Sequence, residues 1–300
     1  MHIGHMIPFI INKHLQDLFG VPLVIQITDD EKFFFKDSIT SLEQSKEMAR
    51  KNIKDIIAMG FDVTKTFIFI DTEYIQYLYP NVCRVQEKVS FNQLKSIFGV
   101  GGEGTNVGKI AYPAVQAVPA FPSSFPVPFR NRRDMMCLIP CAIDQDPYFR
   151  MTRDVAPKLK EHKCSCLYSK FIPGLRGPKG KMSASSAESA IYLNDTPKQI
   201  ERKIMRYAFS GGRDNVEEHR KYGANLDIDT SYQYLTFFLD DDKRLKQIGD
   251  DYAAGKLLTT DVKRELTNTL IPIIETFQRN RSRVTDDIVD SFLAVRPLEF

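Results

Sequence analysis

The sequence predicts an α/β fold, a parallel sheet covered by helices on both faces, followed by an all-helical domain. Three observations carry this. Near-continuous apolar runs recur at residues 22–28, 66–70 and 135–139, each the pattern of a strand buried on both faces. Segments of helical spacing lie between them, and strand, helix, strand in that rhythm indicates parallel pairing. Beyond Thr196-Pro197 the strand pattern ceases and only helical segments remain.

The elements follow in order. A first helix starts near Gly4, carries Met6, Ile7, Ile10, Ile11, Leu15 and Leu18 as an apolar stripe, and stops at Gly20. The first strand, 22–28, is closed by Asp29-Asp30-Glu31. Helical spacing from Leu42 to Met59 ends at Gly60 and leads to the strand at 66–70, closed by Asp71. Helices fill 72–98, a glycine-rich loop spans 99–108, and another helix precedes a Pro/Ser/Phe-rich turn region at 119–128. The third strand, 135–139, is followed by Asp144-Gln145-Asp146. Residues 174–186 are glycine-rich, basic and hydroxylated, which predicts a mobile loop. Thr196-Pro197 supplies an N-cap with proline at the first helical position, and Ser210-Gly211-Gly212 breaks the helices that follow. The domain boundary therefore falls at 194/195.

The 300 residues are 43% hydrophobic and 26% charged, which excludes a disordered tail, a collagenous rod and a disulfide mini-protein. The longest apolar run, from Met6 to Ile11, falls far short of the roughly 18 residues of a membrane helix. Five cysteines, an odd set, argue for reduced thiols, and the first residues resemble neither a secretory signal nor a transit peptide; a cytoplasmic protein is expected. Residues 195–300 carry 17 Lys+Arg against 19 Asp+Glu, so the net +3 of the chain arises from +5 in residues 1–194. If the helical domain binds nucleic acid, placed residues must do so, because bulk charge does not draw it there. The chain contains no tryptophan.

Three constellations carry chemistry. Gln26, Asp29, Glu31, Asp71, Asp144 and Gln145 cluster just past the strand ends, where doubly wound sheets bind ligands. Each alone could cap a helix; together they point to a pocket. His2-Ile3-Gly4-His5 places two imidazoles on one face of the first helical turn, with a side-chain-free residue between them at an end where backbone N–H groups point outward. A polyphosphate suits that end, and no further ligand of known spacing suggests a metal. Lys181-Met182-Ser183-Ala184-Ser185 sets a lysine and two hydroxyls on a glycine-flanked loop without the spacing of a P-loop.

His-Ile-Gly-His near the start and Lys-Met-Ser-Ala-Ser near the end of one parallel α/β domain together resemble the paired signatures of class I aminoacyl-tRNA synthetases. Among these the chain is similar to the tryptophan-specific branch of eukaryotic and archaeal type. The likeness runs along the whole chain and includes Val24-Ile25-Gln26-Ile27-Thr28-Asp29-Asp30-Glu31-Lys32, the run from Cys141-Ala142-Ile143-Asp144-Gln145-Asp146 to Asp154, and Ala208-Phe209-Ser210-Gly211-Gly212-Arg213-Asp214.

The resemblance implies a Rossmann-like catalytic domain over 1–194, a helical anticodon-binding domain over 195–284, and a last helix, 285–300, that returns to the catalytic domain. It implies ATP-dependent activation of L-tryptophan and transfer to tRNA(Trp) by a homodimer, with Mg2+ arriving with the nucleotide. His2, Gly4, His5, Asp144, Lys181, Met182 and Ser183 would hold ATP, with His2, His5 and Lys181 assisting catalysis and Asp144 at the ribose. Gln26, Glu31, Gln116 and Gln145 would surround tryptophan, the indole needing one acceptor and the ammonium several; which residue serves which is open. Arg213, Asp214 and Lys263 would meet the anticodon. Tyrosine activation, and a catalytically silent relative that binds tRNA or a protein, are the alternatives. Relatives carry a strand and a short nucleotide-binding loop ahead of the His-x-Gly-His helix, so the expectation is that these 300 residues are an incomplete record of a longer chain.

Overall fold

The apolar stripe of the first segment folds as helix α1 (Ile3–Phe19), with Pro8 inside it. The computed structural model describes residues 1–182, 188 and 190–300. They divide into two units, residues 10–170 with 284–300, and residues 1–9 with 171–283.

In the unit that begins at Ile10, β1 (Leu23–Ile27) follows α1, and α2 (Asp29–Phe35) starts two residues later. Helix α3 (Leu42–Ile57) begins where the Ser41 hydroxyl accepts the Gln44 N–H, and it buries Ala49, Ile53, Ile56 and Ile57. Strand β2 (Thr66–Ile70), Thr-Phe-Ile-Phe-Ile, is buried at every position, as its unbroken apolar run requires. Helix α4 (Asp71–Lys88) starts at the residue after it. Helix α5 (Phe91–Phe98) opens with a capping box between Ser90 and Gln93, and α6 (Val107–Ala117) is capped by Asn106.

Strand β3 (Leu138–Ala142), helix α7 (Asp146–Val155) and β4 (Ser165–Ser169) complete this part. Strands β1 and β2 pair in parallel with Gln26 opposite Phe69, and β3 and β4 pair in parallel with Cys141 opposite Tyr168. The parallel pairing is as the strand rhythm predicts. Among the described residues it forms two two-stranded sheets, β1-β2 and β3-β4, rather than one. Both pack on a single core in which Phe67, Phe69, Tyr74, Phe121 and Phe125 are almost fully enclosed and Val24, Ile139 and Cys166 border it.

Two details differ from the sequence reading. The third strand begins three residues later than 135–139, because its partner offers backbone only opposite 138–142, and Met136 is left 78% exposed. Its partner β4 was not foreseen, since Ser-Cys-Leu-Tyr-Ser is too short and too polar to read as a buried strand.

In the other unit, β5 (Pro173–Gly174) and β6 (Gly177–Lys181) form an antiparallel hairpin. The segment read as a loop from 174 is thus paired as far as Lys181, and residues 183–187 lie outside the described residues. Helix α8 (Pro197–Tyr207) starts with the Thr196–Gln199 capping box and Pro197 at its first position, as predicted. Helices α9 (Val216–Tyr222), α10 (Thr230–Phe238), α11 (Asp242–Ala253) and α12 (Thr259–Arg281) follow. Ile200 and Ile204 of α8, Tyr234 and Leu235 of α10, and Leu266, Leu270 and Ile274 of α12 are fully enclosed, those of α8 and α12 spaced one turn apart. Gly223 ends α9 at φ +65, and a Cβ there would stand 1.7 Å from the Ala253 carbonyl oxygen, so no other residue fits.

Helix α13 (Asp286–Leu293), capped by Thr285, belongs with residues 10–170. Asp286 lies 2.7 Å from Lys54, and the Arg296 guanidinium donates to the carbonyls of Val63 and Thr66. Among the described residues no helix is long and apolar enough to cross a membrane.

Candidate active site

Two groups of predicted residues are described, one in each unit. In the first, the backbone around His2 is held by a bridge to Tyr192, by the Ile3 N–H donating to the Ile191 carbonyl (3.0 Å), and by the Leu193 N–H donating to the Met1 carbonyl (3.1 Å). The His2 and His5 rings stack with centroids 3.7 Å apart. The His2 backbone N–H donates to His5 Nδ1 at 3.2 Å, which places the His5 ring proton on Nε2 and makes that atom a donor. His2 is buried, and burial, reinforced by the neighbouring His5, lowers its pKa to about 4. The His2 ring is therefore a neutral imidazole at pH 7, and His5 is the exposed member of the pair. His2 Nδ1 is sealed from solvent without a hydrogen-bond partner among the described residues.

Gly4 has an internal reason besides ligand approach: a Cβ there would lie 2.8 Å from Ile172 Cγ2 and 3.1 Å from the His2 ring. Lys181 closes β6 and Met182 is buried, its N–H donating to the Ile172 carbonyl at 3.3 Å. Ser183 lies outside the described residues.

The second group stands at the C-terminal ends of β1 and β2. Gln26 is the fourth residue of β1, and its Nε2 lies 2.9 and 3.0 Å from the two carboxylate oxygens of Asp71, the first residue of α4. Asp30 and Asp71 are hydrogen-bonded to each other. Burial raises the pKa of both; the nearby Asp30 pushes Asp71 further up, while at Asp30 the hydrogen bond to Asp71 works against the rise. Asp29 is turned inward, its carboxylate accepting from the Thr72 N–H (3.2 Å) and hydroxyl (2.5 Å), so it joins α2 to α4 and is no ligand. Glu31 is half-buried and accepts from the Thr28 hydroxyl at 2.9 Å.

Gln116, four residues along α6 from the fully buried Tyr112, accepts the Tyr112 hydroxyl. Burial, then the charges of Glu31, Asp71 and Asp30, push the Tyr112 hydroxyl well above its usual range. Tyr148 of α7 lies edge-on to Tyr112 at 6.1 Å, and burial and Glu31 push its pKa up to about 12. Gln26, Glu31 and Gln116 are thus gathered around Tyr112 with Asp30, Asp71 and Tyr148. The sequence reading missed Tyr112, Tyr148 and Asp30; the one available signal was the i, i+4 spacing of Tyr112 and Gln116 on a helix.

Asp144 and Gln145 occupy the single turn at 143–145 that joins β3 to α7, with Gln145 Nε2 3.5 Å from an Asp144 oxygen. Asp144 is exposed and Gln145 half-buried.

The helical unit places Arg213 and Asp214 in the exposed segment before α9 and Lys263 on α12. Arg213 is exposed, and its Nε donates to the Gly223 carbonyl at 3.1 Å. Lys263 Nζ donates to the Met205 carbonyl at 3.0 Å, and burial lowers its pKa. The Gly211 N–H and the Tyr252 hydroxyl both donate to Asp229 (2.9 and 2.8 Å), which fixes the Ser210–Gly212 turn ahead of Arg213.

The profile of tRNA synthetases class I (W and Y) matches residues 1–275. The chain is 54% identical over 303 residues to tryptophan--tRNA ligase, cytoplasmic, of Homo sapiens, covering 100% of this chain and 64% of that protein. It is 54% identical over 299 residues to the protein of the same name from Arabidopsis thaliana, covering 99% of this chain and 74% of that one. Among solved structures, tryptophanyl-tRNA synthetase from Giardia lamblia superposes with a TM-score of 0.92 at 44% identity, over 97% of this chain and 78% of that one. The Plasmodium falciparum tryptophanyl-tRNA synthetase gives 0.90 at 43% identity, over 98% and 76%. The chain spans under two thirds of the length of the mammalian relatives.

Proposed function

Because the chain belongs to the class I tRNA synthetases of the W and Y group, we propose that it activates L-tryptophan with ATP and passes it to tRNA(Trp), and that residues 1–194 carry the catalysis, residues 195–284 read the anticodon, and the last helix, 285–300, returns to the catalytic domain. The observation that carries the choice of amino acid is the gathering of Gln26, Glu31 and Gln116 around buried Tyr112 at the strand ends. An indole brings one N–H donor, an ammonium three and a carboxylate two acceptors, and two amides with one carboxylate answer that inventory. Gln145 is assigned to the same ligand.

The attacking tryptophan carboxylate is ionised at neutral pH, so activation needs no protein nucleophile or general base; positioning and charge stabilisation at the α-phosphate suffice. His5, with its proton on Nε2, donates to a phosphate oxygen. Neutral His2 contributes one N–H, and the backbone at Gly4 lets the nucleotide approach the first turn of α1. Lys181, with Ser183 and the Met182 backbone, follows the β- and γ-phosphates as pyrophosphate departs, and Asp144 takes the ribose. Among the described residues no three His, Cys, Asp or Glu are disposed to hold a metal; we assign Mg2+ to the phosphates of the nucleotide.

Arg213 and Asp214 offer paired donors and acceptors to anticodon bases, with Lys263 behind them. We assign the protein to the cytoplasm, as its relatives are named, and expect a homodimer. Amino-acid-dependent exchange of radiolabelled pyrophosphate into ATP tests the reading. Exchange with tryptophan and not tyrosine is expected; exchange with tyrosine, or none beside an active relative, overturns it.

A further inference from the structure

Gln26 and Asp71 meet because β1 and β2 are in parallel register: Ile27 lies opposite Ile70, so the residue before the one and the residue after the other are diagonal neighbours. Asp71 is fully buried, and its two oxygens lie 2.9 and 3.0 Å from the Gln26 amide nitrogen. The chemistry forces that orientation. Both Asp71 oxygens that face Gln26 carry acceptor lone pairs and lie at hydrogen-bonding distance from its amide nitrogen, whereas an amide oxygen turned toward the two would meet lone pairs.

The consequence falls on the other end of the amide. Gln26 Oε1 accepts from no protein group among the described residues. Gln116 is set the opposite way, its oxygen taken by the Tyr112 hydroxyl and its nitrogen left to donate. The two glutamines therefore present opposite polarity, each fixed by a buried partner.

We propose that Asp71 is a positioning residue for substrate specificity: by clamping the Gln26 amide nitrogen it presents Gln26 Oε1 as an acceptor for the ring N–H of the amino acid. This rests on the tryptophan reading. A ligand of the same shape without a ring N–H leaves that acceptor desolvated and unpaired, whereas an amide free to rotate imposes no such penalty.

The test uses the 300-residue chain and two ligands, L-tryptophan and its isostere with a benzothiophene ring, in which sulfur replaces N–H. Equilibrium dialysis should show the unaltered chain preferring tryptophan by about 10- to 100-fold. The isosteric variant Asp71→Asn, whose own NH2 can turn the Gln26 amide over, should lower the preference to under about threefold while still binding the isostere. Nitrogen-15 NMR of the unaltered chain, without ligand, should show slow solvent exchange of the Gln26 side-chain amide protons, and faster exchange in Asp71→Asn. Equal affinity of the unaltered chain for both ligands, an unchanged preference in the variant, or fast amide exchange in the unaltered chain each overturns the proposal. If the unaltered chain binds neither ligand while the amide stays protected, the tryptophan reading has failed and the specificity claim falls with it, leaving only the clamp.

Discussion

The ammonium of Lys203 lies 2.5 Å from a carboxylate oxygen of Asp195, and both side chains are less than a tenth exposed. Lys203 also donates to the Ala190 carbonyl at 3.1 Å and sits 4.5 Å above the Tyr192 ring, while Asp195 accepts the Tyr192 N–H at 2.8 Å. The pair thus braces the segment from Ala190 to Asp195, which bridges to His2. Removing one partner leaves an uncompensated buried charge. Lys203→Met should destabilise the unit by about 3–5 kcal/mol, and the double change Lys203→Met with Asp195→Asn should cost less than the single one. Urea denaturation of the three proteins checks this.

His2 ties stability to pH. Its folded pKa is about 4, below the ordinary 6.5, so between those values the unfolded state binds more protons. The contribution is complete above pH 6.5 and is lost as pH falls toward 4, amounting to about 3 kcal/mol at most. Denaturation of the unaltered chain and of His2→Gln across that window should give curves that converge as the pH drops; parallel curves would refute the linkage.

Gly4→Ala brings a methyl group to within 2.8 Å of Ile172 Cγ2 and 3.1 Å of the His2 ring. The crowding should cost about 1–3 kcal/mol of stability and weaken ATP use in pyrophosphate exchange. Unaltered exchange would show that the first turn of α1 does not approach the nucleotide.

Tyr112→Phe removes the donor that orients Gln116. The KM for tryptophan in pyrophosphate exchange should rise about 2- to 10-fold, with the KM for ATP unmoved. A change in both would mean that the substitution disturbs packing rather than the amide.

Exposed Arg213 commits its Nε to the Gly223 carbonyl. Arg213→Ala should weaken tRNA(Trp) binding by about 1–3 kcal/mol and leave amino-acid activation intact, measured by filter binding alongside pyrophosphate exchange.

How much of this was legible in the sequence depended on where the determining contact lay. The Thr196 N-cap, the start of α8 at Pro197 and the buried run of β2 are local signals, and the sequence shows them. Strand β4 and the late start of β3 depend on each other's backbone, and neither Leu138 nor Ser165 announces a partner 27 residues away. At the site, Gln26, Glu31 and Gln116 could be named from sequence, but what orients them could not. Asp71 reads only as one of several strand-end residues that point to a pocket, and its clamp on Gln26 shows only once β1 and β2 are in register; the link from the Tyr112 hydroxyl to Gln116 is likewise tertiary.

The edge-on pair Tyr112 and Tyr148 stands in a chain with no tryptophan of its own. Optically, the protein is dark at the red edge of aromatic absorption, where only an indole is excited. Tryptophan bound as proposed would thus be its own fluorophore, lit directly at that edge and by energy transfer from these two tyrosines at shorter wavelength. Its binding to this chain could then be followed without a label.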